Sequence, residues 1–340
     1  MGTMDGEARR SVGRGQGDPA TERHVLDFSE PVNPDRPDGV SRVYQTALSS
    51  ARSYPQDDYC EFRVAAGEYV GCEPRDVVPT AGGLAAVRLA LDATVEAGDD
   101  VLVPVPSITE YEREVRLQGA TPEFVPYEEL PDRDPDGYAM AILCNPNNAT
   151  GEAYRSDRLR AFAERCRDAG TILLVDESLV GFLDRPTMAG LPGVVVARSL
   201  SNLFGLPGLR MGFAVATGDL GDDVETARRT WNLSTPAAHV GEFCMGQSEF
   251  VERTRERIRT EQPRLVEGLS RHFDVVPSDG PFLLVDVGDR PVEDVVQQLY
   301  HRGVAVRDVT TFRGLDSHVQ VSAVRRPDEN DQLLDAVDAI

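Results

Sequence analysis

The sequence predicts an α/β protein, with a large domain on a mostly parallel, doubly wound sheet and a smaller α+β domain. Three observations carry this. Between Asp76 and Phe213 short apolar runs alternate with helical stretches. Those runs are apolar almost throughout, the pattern of strands covered on both faces. After Thr217 the order changes to helical stretches and a second group of short strands. A chain of 340 residues, 41% of them hydrophobic, is long enough for one large or two ordinary domains.

From Val25 the chain reads V-L-D-F-S-E-P-V-N-P, an extended segment ending in proline turns. A short amphipathic helix is predicted over Val40 to Ala51. In the large domain the predicted strands are Val101–Val103, Glu123–Val125, Ala139–Leu143, Ile172–Val175, Val194–Ala197 and Gly212–Ala216. Its predicted helices are Leu84–Glu96, Glu110–Leu117 and Ser156–Asp168. Beyond it, helices are predicted at Glu225–Trp231, Ala237–His272, Val292–Arg302 and Asp328–Ala339. The strands there are Asp274–Val276, Pro281–Val287, Val304–Val306 and Val319–Ser322. The expected organisation is a disordered extension over 1–24, a segment over 25–55 joining the small domain, a large domain over 56–217 and the small domain over 218–340.

The chain carries 57 Asp plus Glu against 35 Lys plus Arg, a net charge of -22. That field repels nucleic acid and anionic membrane surfaces, and neither is expected as a partner. All 35 basic residues are arginine, because the sequence contains no lysine. An acidic, lysine-free chain resembles cytoplasmic proteins of salt-accumulating archaea, and a cytoplasmic location is expected. In molar salt the Debye length falls to about 3 Å, which screens such a surface. The 5 cysteines show no metal-ligand spacing and are read as buried free thiols, and no metal is expected. No apolar run reaches the ~18 residues of a membrane-spanning helix, and residues 1–23 lack the apolar core of a secretory signal.

Four motifs lie where a parallel sheet presents ligands. Gly82 and Gly83 precede a periodic helix beginning near Leu84; their bare backbone could approach a phosphate at the helix N-terminus or merely punctuate the chain. L-C-N-P-N-N-A-T-G, Leu143 to Gly151, follows an apolar strand. Asp176 ends another strand in I-L-L-V-D-E-S-L-V-G-F, where an unpaired carboxylate is costly to bury. The fourth, V-V-V-A-R-S-L-S-N-L-F-G-L-P-G-L-R-M-G-F, spans Val194 to Phe213. Its Arg210 could hold a phosphate bidentately or serve a structural salt bridge.

Together these motifs resemble fold-type I enzymes that use pyridoxal phosphate. The N-P-N-N-A-T-G string is similar to that family's N-P-N-N-P-T-G, and the fourth motif to its S-x-S-K-x-x-G-x-x-G-x-R-x-G. D-F-S-E-P-V-N-P, S-I-T-E-Y-E-R-E-V-R and V-R-D-V-T-T-F-R-G-L resemble the branch of threonine-phosphate decarboxylases and histidinol-phosphate aminotransferases. The resemblance implies cofactor contacts from Gly82, Gly83, Leu84, Ser199, Ser201 and Arg210 to the phosphate. It implies contacts from Asn148 and Asp176 to the pyridine ring and stacking at Ile108. It further implies substrate contacts at Asn33 and Gln320, and a homodimer in which Tyr54 reaches the neighbouring subunit's phosphate site. The implied ligand is a small phosphorylated amino-acid-like metabolite.

The departures are equally specific. Asn202 stands where the family's lysine forms a Schiff base, Ile108 replaces a stacking aromatic, and Leu179 replaces a common Tyr or Phe. Pro31 replaces the first Asn of N-x-N-P, and Gln320 replaces a carboxylate-binding arginine. An asparagine amide neither condenses with an aldehyde nor titrates near neutrality. The sequence therefore leaves three readings: a degenerate relative that keeps a non-covalent cofactor seat, an enzyme working without lysine from pyridoxal or pyridoxamine phosphate, and a non-catalytic partner or phosphometabolite-binding protein.

Overall fold

The computed structural model describes residues 25–340; the expected disordered extension over 1–24 lies outside the described residues. The strands are β1 (Leu26–Asp27), β2 (Val77–Thr80), β3 (Asp100–Val105), β4 (Thr121–Pro126), β5 (Met140–Cys144), β6 (Ile172–Asp176), β7 (Val194–Ser199), β8 (Gly212–Val215), β9 (Asp274–Val276), β10 (Phe282–Asp286), β11 (Val304–Ala305), β12 (Arg307–Asp308) and β13 (His318–Ser322). The helices are α1 (Val40–Ser50), α2 (Cys60–Val70), α3 (Gly83–Thr94), α4 (Thr109–Leu117), α5 (Ser156–Ala169), α6 (Gly218–Ala227), α7 (Thr235–Met245), α8 (Ser248–Leu269), α9 (Val292–His301) and α10 (Pro327–Asp338).

The large sheet has the order β2-β8-β7-β6-β5-β3-β4. Strands β3 to β7 are mutually parallel, and β8 runs antiparallel to both β7 and β2. Strand residues alternate between two faces, and here both faces are covered. Val194 and Val196 of β7 join one buried cluster with Phe62 and Phe162, while Val195 and Ala197 join the other with Ala86 and Val87. This is why the strands read as continuous apolar runs. The sheet is mostly parallel and doubly wound, as the sequence predicts.

A four-stranded antiparallel sheet, β12-β13-β10-β9, forms the second layer system. Its core joins Leu283, Val285, Val319 and Val321 to Leu265, Leu333 and Phe28. Separately, β1 pairs in parallel with β11, Leu26 opposite Val304. The extended segment at the start of the described chain is thus held to the C-terminal part.

Several expectations are corrected. The boundary at 217/218 is misplaced: Val224 of α6 packs with Ala86 and Ala90, and Ala237, Val240 and Cys244 of α7 pack with Phe62 and Phe213. Within 25–55, only the first residues join the small sheet, because Val40 and Val43 of α1 pack on the large core. The long helix α8 bridges the two, Ile258 in the large core and Leu265 in the small one. The predicted helix 237–272 breaks at Gly246 and Gln247 into α7 and α8. The one predicted at 225–231 is instead α6, because Asp57 accepts the Trp231 N–H at 2.7 Å and pairs with Arg228 at 3.0 Å, drawing that stretch into a turn. Of the predicted strand 304–306 only Val304–Ala305 is strand, as β11, and β12 follows at Arg307–Asp308.

Candidate functional site

The carboxyl ends of β5, β6 and β7 stand side by side, with Cys144, Asp176 and Ala197 in register. Across β8, Ser199 pairs with Gly212 and Gly212 with Thr80. Open parallel sheets bind ligands beyond these strand ends.

On the β8 side the backbone is unusually accessible. Gly82 has φ +100, a conformation L side chains rarely adopt, and a Cβ there would lie 2.6 Å from Arg210 Nη2. One added to Gly83 would collide with Ser178 Oγ and lie 3.2 Å from Ser199 Cβ, and one on Gly212 would lie 2.7 Å from the Gly82 carbonyl carbon. The three glycines therefore let the start of α3, the β8 turn and the Arg210 guanidinium close on one point. The first-turn amides of Gly83 and Leu84 lack intrahelical acceptors by position and carry the positive end of the helix dipole. Arg210 itself has φ 54, a left-handed conformation that costs a non-glycine residue about 1–2 kcal/mol. Among the described residues its guanidinium bonds only the Pro207 carbonyl, at 3.1 Å, and pairs with no carboxylate. Ser199 Oγ accepts the Ser201 N–H at 3.3 Å, and the buried Ser201 hydroxyl faces the Met211 carbonyl at 3.5 Å.

On the β6 side Asp176 is only 5% exposed. Its Oδ2 accepts the Tyr111 hydroxyl and its Oδ1 the Ser178 N–H, each at 2.8 Å. Burial raises its carboxyl above the ordinary value, and the bonds from Ser178 and Tyr111 offset that rise only in part. Neighbouring Glu177 turns the other way, into a buried ion pair with Arg198 at 3.0 Å, and also accepts the Thr187 hydroxyl at 2.6 Å. Such a pair, breaking which costs about 3–5 kcal/mol, braces the ends of β6 and β7.

Asn148 lies on the loop after β5, where its carbonyl accepts the Ile108 N–H at 3.1 Å. Gln320 of β13 donates to Asn148 Oδ1 and to the Ala149 carbonyl, both at 3.3 Å. Half-buried Ile108 packs with both the large core and Phe312. Asn202 is half-buried; its carbonyl accepts the Asn33 N–H at 2.9 Å. Leu179 is buried in the core and presents nothing polar.

Two expected site residues lie outside this chain's own cluster. The Asn33 amide donates to the Leu203 carbonyl and Thr254 Oγ1, and its oxygen accepts from Asp35 N and Arg257 Nη2. With all four bonding positions used, it staples the N-terminal segment to α8 and holds no group for a substrate. Tyr54 is 75% exposed and stacks on Trp231 at 4.2 Å, apart from this chain's own cluster. Sequence reasoning missed Tyr111 and Ser178 as site residues. Tyr111 lies on α4 three residues after Ile108, the residue that caps the helix, and that spacing could have found it. Of the cysteines, Cys60 is exposed and Cys72 half-buried rather than buried.

The family "Aminotransferase class I and II" matches residues 37–337. The chain belongs to this family. It is similar to histidinol-phosphate aminotransferase 2 of Archaeoglobus fulgidus, 29% identical over 328 residues and 93% of each chain. Among solved structures, this aminotransferase-family chain resembles L-threonine-O-3-phosphate decarboxylase from Porphyromonas gingivalis, with TM-score 0.84, 24% identity and coverage of 93% of this chain and 99% of that one. It also resembles histidinol-phosphate aminotransferase from Sinorhizobium meliloti in complex with pyridoxal-5'-phosphate, with TM-score 0.83, 17% identity and coverage of 100% and 99%. At those identities the two structures establish the fold.

Proposed function

We propose that this member of the aminotransferase class I and II family binds a pyridoxal-phosphate-type cofactor non-covalently and has lost the family's lysine-dependent catalysis. The observation that carries the reading is the Arg210 guanidinium, unpaired with any described carboxylate, held over Gly82 beside Ser199 in a chain with no lysine.

The residues present fit a phosphorylated pyridine. The cradle that a Cβ on Gly82 or Gly83 would fill gives the phosphate its place, with the Gly83 and Leu84 amides, Ser199 and Arg210 as donors. Ser201 supports this seat through its N–H bond to Ser199. Asp176, raised by burial, is suited to hold a proton between its carboxylate and a ring nitrogen, with Tyr111 and Ser178 fixing its oxygens. Asn148 has its Oδ1 engaged, which leaves its Nδ2–H groups to donate to a ring oxygen. Ile108 offers an apolar surface in place of an aromatic face. When bound, the cofactor supplies an electron sink for breaking a bond at the Cα of an amine. Asn202, at the position of the family's lysine, can neither form a covalent link nor carry the Cα proton. The second ligand is read as a small phosphorylated amino-acid-like metabolite, by similarity to the relatives named above, and the protein as a cytoplasmic homodimer.

The test is purification in high salt with pyridoxal phosphate, dialysis, and measurement of retained cofactor, followed by titration with L-threonine O-3-phosphate while released carbon dioxide is measured. Retention without turnover is expected. Turnover at saturating substrate would overturn the loss of catalysis, and complete loss of cofactor on dialysis would overturn the binding site.

A further inference from the structure

The chain is buried from Leu173 to Val180 with a single interruption, half-buried Ser178. On the neighbouring strand half-buried Ser199 likewise follows the buried run Val194–Arg198. Both serines close on Gly83, the first residue of α3: the place of a Cβ there is taken by Ser178 Oγ and lies 3.2 Å from Ser199 Cβ. A side chain at Gly83 would collide with the Ser178 hydroxyl, so the two residues form one device. The glycine stays bare, and the turn after β6 carries a hydroxyl to the mouth of the helix. Beside that point stand the Gly82 backbone and the Arg210 guanidinium, which pairs with no described carboxylate. Ser178 also serves Asp176. Burial raises that carboxyl, and the Ser178 hydroxyl and its N–H, 2.8 Å from Oδ1, work against the rise. The other groups facing the carboxyl are the Tyr111 hydroxyl from α4 and the Cys144 thiol from β5, both pushed up by burial, with apolar Ala197 of β7 in register beside it. Glu177 and Arg198 turn away into their own ion pair, and α3 packs here through Ala86, Val87 and Ala90. Asp176 is thus the first of this cluster to lose its proton as pH rises.

Resting on the phosphate seat proposed above, we infer that Ser178 is a further ligand of that seat and a proton-linked one: its hydroxyl serves Asp176 while the carboxyl is ionised and turns to the bound anion once Asp176 is protonated. A serine hydroxyl has one proton to donate and rotates to suit its partners. An ionised carboxylate only accepts, and so claims that proton. A protonated carboxyl has an O–H of its own to give, which the Ser178 oxygen accepts while the serine proton points to the opening at Gly83. The seat then holds its anion with one more donor and one fewer negative charge nearby. Linkage makes the effect mutual, since an anion in the seat raises the affinity of Asp176 for its proton by the same factor. The seat is thereby assigned tighter binding of a phosphoryl or sulfuryl group on the acid side.

Calorimetric titration of the cofactor-free protein with sulfate in molar KCl, at about pH 5 and about pH 8, tests this, because sulfate keeps one charge state over that range and a carboxyl raised by burial loses its proton within it. The parent is expected to bind sulfate about fivefold tighter at the lower pH, and Asp176→Asn to hold the tighter affinity at both. Ser178→Ala is expected to weaken binding about threefold at the lower pH and to leave it unchanged at the higher, its fold being checked by melting. A serine with a structural role alone would move the melting temperature and not the pH dependence. No rise in the parent's affinity at the lower pH, or an alanine effect that is equal at the two pH values or absent from both, overturns the inference alone. If the parent binds no sulfate at either pH, the phosphate seat falls and this inference with it.

Discussion

Tyr111 donates its hydroxyl to Asp176 Oδ2 at 2.8 Å across the boundary between α4 and β6, with both side chains buried. The bond lowers the cost of ionising a carboxyl that burial has raised. Tyr111→Phe keeps the ring packing and removes only this donor. It is expected to destabilise the protein by about 1–3 kcal/mol at neutral pH, the usual cost of orphaning a buried partner. Denaturant unfolding checks this; an unchanged midpoint would mean that Asp176 does not depend on the bond.

Asp176→Asn should act in the opposite direction on the cofactor-free protein. A carboxyl raised in the folded state binds its proton more tightly there than in the unfolded chain. Its contribution to folding is fully present below the ordinary value of 3.8 and is lost as pH rises through the folded value. At neutral pH the native carboxylate is therefore a cost, and the neutral amide, with its oxygen kept on the Ser178 N–H and its N–H groups turned to the Tyr111 oxygen, is expected to stabilise the cofactor-free protein. The advantage should shrink as pH falls. Retention of pyridoxal phosphate should drop at least tenfold, which separates ring binding from stability.

The phosphate seat is testable by contrasting two substitutions. Arg210→Ala removes no ion pair among the described residues, so stability should stay within about 0.5 kcal/mol of the parent. Cofactor affinity should nevertheless fall at least tenfold, as expected when a charge-assisted contact is lost. Gly82→Ala should lower both, because φ is +100 and the new methyl would lie 2.6 Å from Arg210 Nη2. Melting curves with and without cofactor distinguish the two patterns. Equal loss of stability in both variants would make Arg210 a structural residue.

How far the sequence speaks depends on whether the signal is local. The runs at Val194–Ala197 and Ile172–Val175 were legible because both faces of those strands are buried, leaving no polar residue to interrupt them. Strand β2 was not, since V-V-P-T contains Pro79; an edge position in the sheet tolerates it. Helix α2 was missed because it opens on Tyr59 at φ 46 rather than on a capping side chain. In the site, Asp176, Ser199 and Arg210 stand in continuous motifs. The exhaustion of the Asn33 amide depends on Thr254 and Arg257 of α8, and the engagement of the Gln320 amide on a loop that lies 171 residues away in sequence. Such long-range pairings leave no periodic trace.

The acidic surface predicts a salt requirement. With a net charge of -22 and no lysine, self-repulsion opposes the compact state in dilute buffer and is screened at high ionic strength. The melting temperature is expected to rise steadily from low to molar KCl. A flat response would show that the ion pairs already formed, such as Arg264 with Asp331 and Arg326 with Asp35, balance the surface without added salt.

Asn202→Lys asks whether the rest of the seat is intact. The backbone at this position is anchored, its carbonyl accepting from Asn33 N at 2.9 Å and Gly205 N at 3.2 Å, while its side chain bonds no described residue. A longer side chain can thus replace it without breaking a contact. With pyridoxal phosphate the variant is expected to give a borohydride-stable adduct on the peptide containing residue 202, found by mass mapping. The parent offers no side-chain amine for that reaction, so only its N-terminus can be labelled. Labelling of the variant confined to the N-terminus would mean that the phosphate and ring contacts do not bring a cofactor to residue 202, and the degenerate-seat reading would fall.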